Sequence, residues 1–211
     1  MERWVLLRKG ADFEAIGKKY QISPRLACLI RNRDVIGEEA IERYLNGTIS
    51  DLYDGMLMKD ADKAIDILKE KIAEEKKIRV IGDYDIDGVN ATYILLEGLE
   101  RLGAYVDSDI PDRIGDGYGL NRHLIDRAYD AGIDTIITCD NGIAAANEIA
   151  YGKELGMTII VTDHHEIPFD EIDGEKIYRL PPADAVIDPK QKDCVYPFKG
   201  LCGAAVAYKL M

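Results

Sequence analysis

Five short β-branched runs recur along this chain, and their spacing limits the folds open to it. They are "KIRVIGDYD" (77–85), "AYVDSDIPD" (104–112), "DTIITCD" (134–140), "MTIIVTDHH" (157–165) and "DAVIDP" (184–189). The first four begin 27, 30 and 23 residues apart. Each interval holds one strand and one helix. Repeated strand–helix units give a parallel sheet, and right-handed crossovers put helices on both of its faces. The expected fold is α/β: a doubly wound, mainly parallel sheet. Residues 166–185, "EIPFDEIDGEKIYRLPPADA", read as a long loop punctuated by Pro and Gly, a lid or an insertion.

The upstream part reads differently. "ISPRLACLIRNR" starts a helix with Ser23 as N-cap and Pro24 in its first turn. "GEEAIERYLNG" is a short amphipathic helix closed by Gly47, and "DLYDGMLMKD" is a connector. "ADKAIDILKEKIAEEKK" places Ala64, Ile65, Leu68 and Ile72 at helical spacing. The expected division is a helical N-terminal extension over 1–58 and an α/β domain over 59–211.

Charge follows the same division. The chain carries 27 Lys and Arg against 39 Asp and Glu. Residues 1–60 balance at ten of each sign, so the whole deficit of −12 falls in the α/β part. An acidic surface argues against simple binding of nucleic acid by phosphate neutralisation. It accords with carboxylates gathered around divalent cations. The four cysteines, Cys28, Cys139, Cys194 and Cys202, are scattered without a CxxC, which gives neither a disulfide framework nor a structural zinc site. No apolar run of membrane-spanning length and no signal peptide are read, so a reducing cytoplasm is expected.

The strand ends carry the chemistry. The first run ends in Asp83, Asp85 and Asp87, the second in Asp109 and Asp112, and the third in Asp140. The fourth ends in Asp163, His164 and His165, two of only three histidines in the chain, and the fifth carries Asp188. Ligands of open parallel sheets bind outside the carboxyl ends of the strands, so these residues should converge. Carboxylates with one or two imidazoles suit Mn²⁺, Mg²⁺ or Fe better than sulfur-loving metals. Two such ions, about 3.5–4 Å apart, clamp the attacking and leaving oxygens of a phosphoryl transfer. Asp140 is the candidate bridge, and His165 the candidate group for charge on the phosphoryl oxygens. Asp85 and Asp87 share a face only if the strand has already turned, for which Gly88 gives the freedom. Taken singly, the pieces have plainer readings: "DYDIDG" as an acidic turn with Asp87 capping a helix, "DNG" as an ordinary turn.

"DYDIDG", "CDNGI" and "VTDHH" together resemble the first three motifs of the DHH phosphoesterase superfamily. "MKDADKAIDIL", "PDRIGDGYGLN" and "CVYPFKGLCGAAVAYKL" resemble the RecJ-type single-strand-specific exonucleases within it. The resemblance implies 5′→3′ hydrolysis of single-stranded DNA with Mn²⁺ or Mg²⁺, in repair and recombination, with a single-strand-binding protein and a helicase as partners. It implies Asp85, Asp87, Asp140 and His164 as metal ligands, with Asp163 and His165 completing the catalytic group. In "DGYGLN", Gly117 and Gly119 would let backbone approach a phosphate and Tyr118 would stack on a base, with Arg113 and Asn121 also toward substrate. A fourth family motif, a second core domain (DHHA1-type) and an OB-fold domain have no match here. The chain therefore reads as an incomplete N-terminal fragment, weakly active or inactive and expected to bind metal weakly, with two ions expected in the full-length parent. Ile81 stands where the wider superfamily often has histidine.

Two other functions fit the same motifs. One is a DHH phosphodiesterase for short oligonucleotides or cyclic dinucleotides, which lacks the "YPFKGLCGAAVAYKL" match. The other is a non-catalytic replication scaffold, in which the metal residues are eroded. Here Asp85, Asp87, Asp140, His164 and His165 are all present.

Overall fold

The computed structural model describes residues 9–112, 115, 119–172 and 174–211. Arg113, Gly117 and Tyr118 lie outside these residues. The chain forms two compact units that divide between Leu52 and Tyr53, ahead of the division expected at Met58. The reason is local. The turn at 55–57 packs on the last helix, where a Cβ on Gly55 would run into the Lys209 carbonyl.

The first unit holds α1 (Phe13–Tyr20), α2 (Pro24–Asn32) and α3 (Glu38–Asn46). Ser23 caps α2 as expected, its hydroxyl accepting the Leu26 N–H at 3.2 Å. Gly47 closes α3.

The second unit is the α/β domain. Its elements are α4 (Ala61–Ala73), β1 (Lys77–Ile81), α5 (Ile86–Arg101), β2 (Tyr105–Asp109), α6 (Arg122–Asp130), β3 (Thr135–Cys139), α7 (Ala146–Glu154) and β4 (Thr158–Thr162). They are followed by β5 (Phe169–Ile172), β6 (Glu175–Tyr178), β7 (Ala185–Ile187) and α8 (Gly203–Leu210). Five strands form one parallel sheet in the order β2-β1-β3-β4-β7. Each of the five β-branched runs supplies one of them.

Alternation along each strand feeds two cores. Ile78 and Val80 of β1, Ile137 and Cys139 of β3, Ile160 of β4, and Ala185 and Ile187 of β7 pack against α4, α5 and α8. Ile81, Ile136, Ile159, Val161 and Val186 face the other way, against α6 and α7. Central β3 is buried throughout, as a strand covered on both faces must be. Edge strand β2 is polar instead. Its Asp107 takes a two-pronged ion pair from Arg79 at 2.7 and 2.6 Å, across the register that pairs them.

One segment departs from expectation. Within the loop expected over 166–185, β5 and β6 form an antiparallel hairpin separate from the main sheet. Among the described residues, no helix is long and apolar enough to cross a membrane.

Candidate metal centre

The carboxyl ends of β1, β3, β4 and β7 open on one edge of the sheet. Past β1, Asp85 caps α5, its Oδ1 accepting the N–H groups of Asp87 (2.8 Å) and Gly88 (3.0 Å). The cap is therefore Asp85, and Asp87 sits in the first helical turn. Gly88 is needed for a different reason from turn freedom. A Cβ there would lie 2.5 Å from the Asp83 carbonyl oxygen, so only glycine lets α5 approach the β1 loop.

Asp87 is gripped from the far end of the sequence. Its two oxygens accept the backbone N–H groups of Gly203 (2.6 Å) and Ala204 (2.8 Å) at the start of α8. A carboxylate at a helix N-terminus is favoured by the exposed amides and the helix dipole. Gly203 also faces Asp140: a Cβ on it would stand 2.7 Å from both the Cβ and Oδ1 of that residue. Gly203→Ala is expected to cost about 1–3 kcal/mol of stability by overpacking and to weaken Mn²⁺ binding. Thermal unfolding and titration calorimetry check the two effects.

Past β3, Asp140 takes a left-handed backbone, φ 59°. Its neighbour holds it there. Asn141 donates from Nδ2 to the carbonyls of Ile81 (3.2 Å) and Cys139 (3.0 Å), and its own carbonyl accepts from Thr138 Oγ1 at 2.8 Å. An Asp in this conformation costs little when its surroundings fix it so firmly. "CDNG" is thus a braced turn that aims Asp140.

Past β4, buried Asp163 collects four donors. Oδ2 accepts the Ile143 N–H at 2.9 Å. Oδ1 accepts the N–H groups of His164 (2.7 Å) and His165 (3.2 Å), and lies 2.7 Å from His165 Nδ1. Burial pulls the Asp163 pKa upward, but the His165 ring and the backbone donors outweigh it and hold the group below the usual carboxylate range. The same contact raises the His165 pKa. Asp163 is therefore the scaffold of the Asp-His-His turn, facing inward while the imidazoles face out.

Two metal-competent groups result among the described residues. Asp140, His164 and His165 each offer a ligand atom within 4.8 Å of the others, and so do Asp83, Asp85 and Asp140. Asp140 belongs to both. Asp87 joins from the α8 side, its Oδ2 3.5 Å from His164 Nε2. His164 Nε2 also approaches Asp140 Oδ1 at 2.9 Å, yet that oxygen accepts no hydrogen bond. Asp83 Oδ1 is likewise buried without a partner. Asp83, expected among the converging strand-end residues but not in the expected ligand set, joins the second group. Its two-residue spacing from Asp85 is the available signal.

The electrostatics call for a cation. Burial, then the nearby Asp87 and Asp85, push the Asp140 pKa up to about 7. Burial raises Asp83 too, while Asp85 is held low by the N–H of Gly88. Orphaned buried oxygens, oxygen and imidazole donors, and a shared carboxylate all fit hard divalent ions.

The other expected residues fall outside these two groups. Asn121 caps α6, its Oδ1 accepting the Leu124 N–H at 3.0 Å. Gly119 has φ 71°, a backbone that favours glycine. Asp109 is paired with Arg127 at 2.7 Å. Asp188 is fully buried after β7; Oδ1 accepts the Lys190 N–H, Oδ2 has no partner, and burial raises its pKa to about 7.

These two raised values set a pH dependence. An acid whose folded pKa exceeds its unfolded value adds stability below the unfolded pKa, near 4, and loses it as pH rises through the folded value. The metal-free protein should therefore gain about 2 kcal/mol from Asp140, and a similar amount from Asp188, between pH 8 and 5.5. Urea unfolding at both pH values in EDTA measures this. Saturating Mn²⁺, which requires ionised Asp140, should remove the Asp140 part.

A family model described as the DHH family, N-terminal domain, matches residues 77–211, which include every residue of both groups. The chain belongs to the DHH family. This DHH domain is similar to a single-stranded-DNA-specific exonuclease RecJ of Bacillus subtilis (strain 168), 40% identical over 209 residues, 99% of this chain and 25% of that relative. The RecJ of Escherichia coli (strain K12) is 33% identical over 212 residues, 100% of this chain and 34% of its own. Among solved structures, an exonuclease RecJ bound to manganese matches at TM-score 0.61 and 34% identity, over 72% of this chain and 36% of that one. RecJ in complex with Mn²⁺ from Thermus thermophilus matches at TM-score 0.68 and 27% identity, over 99% of this chain and 28% of that one. The chain thus spans about a quarter to a third of the length of these relatives.

Proposed function

We propose that this DHH domain carries the metal centre of a 5′→3′ exonuclease acting on single-stranded DNA. The observation that supports it is Asp140, a buried carboxylate shared by two metal-competent groups. Mn²⁺ or Mg²⁺ would be held by Asp87, Asp140 and His164 on one side and by Asp83, Asp85 and Asp140 on the other. When bound, the ions supply Lewis-acid charge at the phosphoryl oxygens. The chain's own residues do the rest. Asp85 and the α8 amides fix the first-motif carboxylates. Asn141 aims Asp140. Asp163 holds the Nδ1 side of His165 and so fixes a ring that would donate toward a phosphoryl oxygen that gains charge. The raised His165 pKa favours that donating form.

The same reading puts residues 59–211 as the phosphoesterase domain, Arg113, Gly117, Tyr118, Gly119 and Asn121 toward the DNA, and the protein in the cytoplasm. A single-strand-binding protein and a helicase are its proposed partners. The test is Mn²⁺-dependent hydrolysis of a 5′-phosphorylated single-stranded oligonucleotide. Release of mononucleotides is the expected result. No release, with a cyclic dinucleotide cleaved instead, would replace this function by that of a small-nucleotide phosphodiesterase.

A further inference from the structure

The β5–β6 hairpin is solvated on both faces, yet it is rich in large apolar side chains. Phe169 is 44% exposed, Ile172 52%, Ile177 49% and Tyr178 49%. A lone two-stranded hairpin gains little stability in water, so such residues are not there to build a core. Their arrangement is ordered by the register. Phe169 stands opposite Tyr178 and Glu171 opposite Lys176, so these four share one face. On it the two rings meet edge to face at 5.8 Å, and Lys176 Nζ lies 4.1 Å from the centre of the Phe169 ring. On this face Glu171 faces Lys176, and off it Arg179 pairs with Asp170. The face is aromatic, capped by one cation, and close to neutral.

Its position is set by the metal centre. Phe169 follows His165 by four residues, a reach of at most ~14 Å. Ile167 between them is 5% exposed and belongs to the core, and the Arg179 N–H to Pro168 carbonyl bond (2.8 Å) closes the hairpin base. The aromatic face therefore starts within a few nucleotides of a phosphate at the site. Aromatic faces take successive bases by stacking, whatever the sequence, and need no net charge to do so.

We propose that the β5–β6 hairpin is a stacking platform for bases of single-stranded nucleic acid that lie a few nucleotides from the reacting phosphate, beyond the span of a dinucleotide. It rests on the nuclease reading above and adds a binding surface to it. Stacking without phosphate neutralisation has its own signature: affinity changes while the salt slope does not.

The experiment compares the protein with its Phe169→Ala/Tyr178→Ala variant. Fluorescence anisotropy of labelled dT12 in EDTA, where hydrolysis stops, reports binding at several salt concentrations. Binding should weaken about tenfold or more, with an unchanged salt slope. Phe169→Tyr/Tyr178→Phe should bind as the parent does, and Mn²⁺-dependent cleavage of the dinucleotide pdTpdT should be equal in all three. Equal dT12 affinity in parent and alanine variant overturns the platform. So does a changed oligomeric state with dT12 affinity intact, which would make the hairpin a self-association face. No dT12 binding by the parent would remove the nuclease reading, and the platform with it.

Discussion

If this domain carries the proposed activity, Asp140→Asn should lower its Mn²⁺-dependent hydrolysis at least about a thousandfold, roughly 4 kcal/mol of transition-state stabilisation. The size follows from what one carboxylate does. It is the member common to both metal-competent groups, so its loss disables both. Asparagine keeps the left-handed backbone and the shape but not the charge. The variant should fold as the parent does. With burial and two carboxylates raising the Asp140 pKa to about 7, it should even resist urea better at pH 8 without metal. Steady-state kinetics alongside urea unfolding separates the two effects. An Asn variant with parental turnover would take Asp140 out of the bridging role.

Asp163→Ala has the second large effect, and it falls on stability. Asp163 accepts from three backbone N–H groups and contacts His165 Nδ1 while itself buried. Removing it leaves these donors unmatched, which costs about 3–5 kcal/mol. For a domain of this size the midpoint should drop by roughly 10 °C. Differential scanning calorimetry measures the drop. Because the lowered Asp163 pKa adds stability above its unfolded value and loses it as pH falls through the folded one, the difference between parent and variant should shrink in strong acid. A midpoint within about 2 °C of the parent would show that the Asp-His-His turn holds itself without Asp163.

The contrast between these residues shows what a sequence can carry. Strand ends are legible because β-branched runs at regular spacing leave few topologies, and parallel topology brings their carboxyl ends together. That argument places Asp85, Asp140 and the two histidines without any contact being known. It does not separate roles within a motif. Asp87 is bound to Gly203 and Ala204, more than a hundred positions away, and nothing local announces a contact of that range. Gly88 reads as a turn residue, yet its purpose is the closeness of the Asp83 backbone, which only packing reveals. Asp83 stands outside the expected ligands because its burial cannot be read from its neighbours. The hairpin is readable. "FDEIDGEKIY" sets an Asp-Gly pair between two short runs that each hold two large apolar residues, a two-residue hairpin signal weakened because neither run alternates.

The central claim is that two ions share Asp140. Electron paramagnetic resonance of the protein titrated with Mn²⁺ tests it most directly, since two Mn²⁺ ions a few ångströms apart couple magnetically. A coupled spectrum that grows at two equivalents, and is absent in Asp140→Asn, is the predicted result. Six-line spectra of isolated ions at every ratio, unchanged by that substitution, would contradict it.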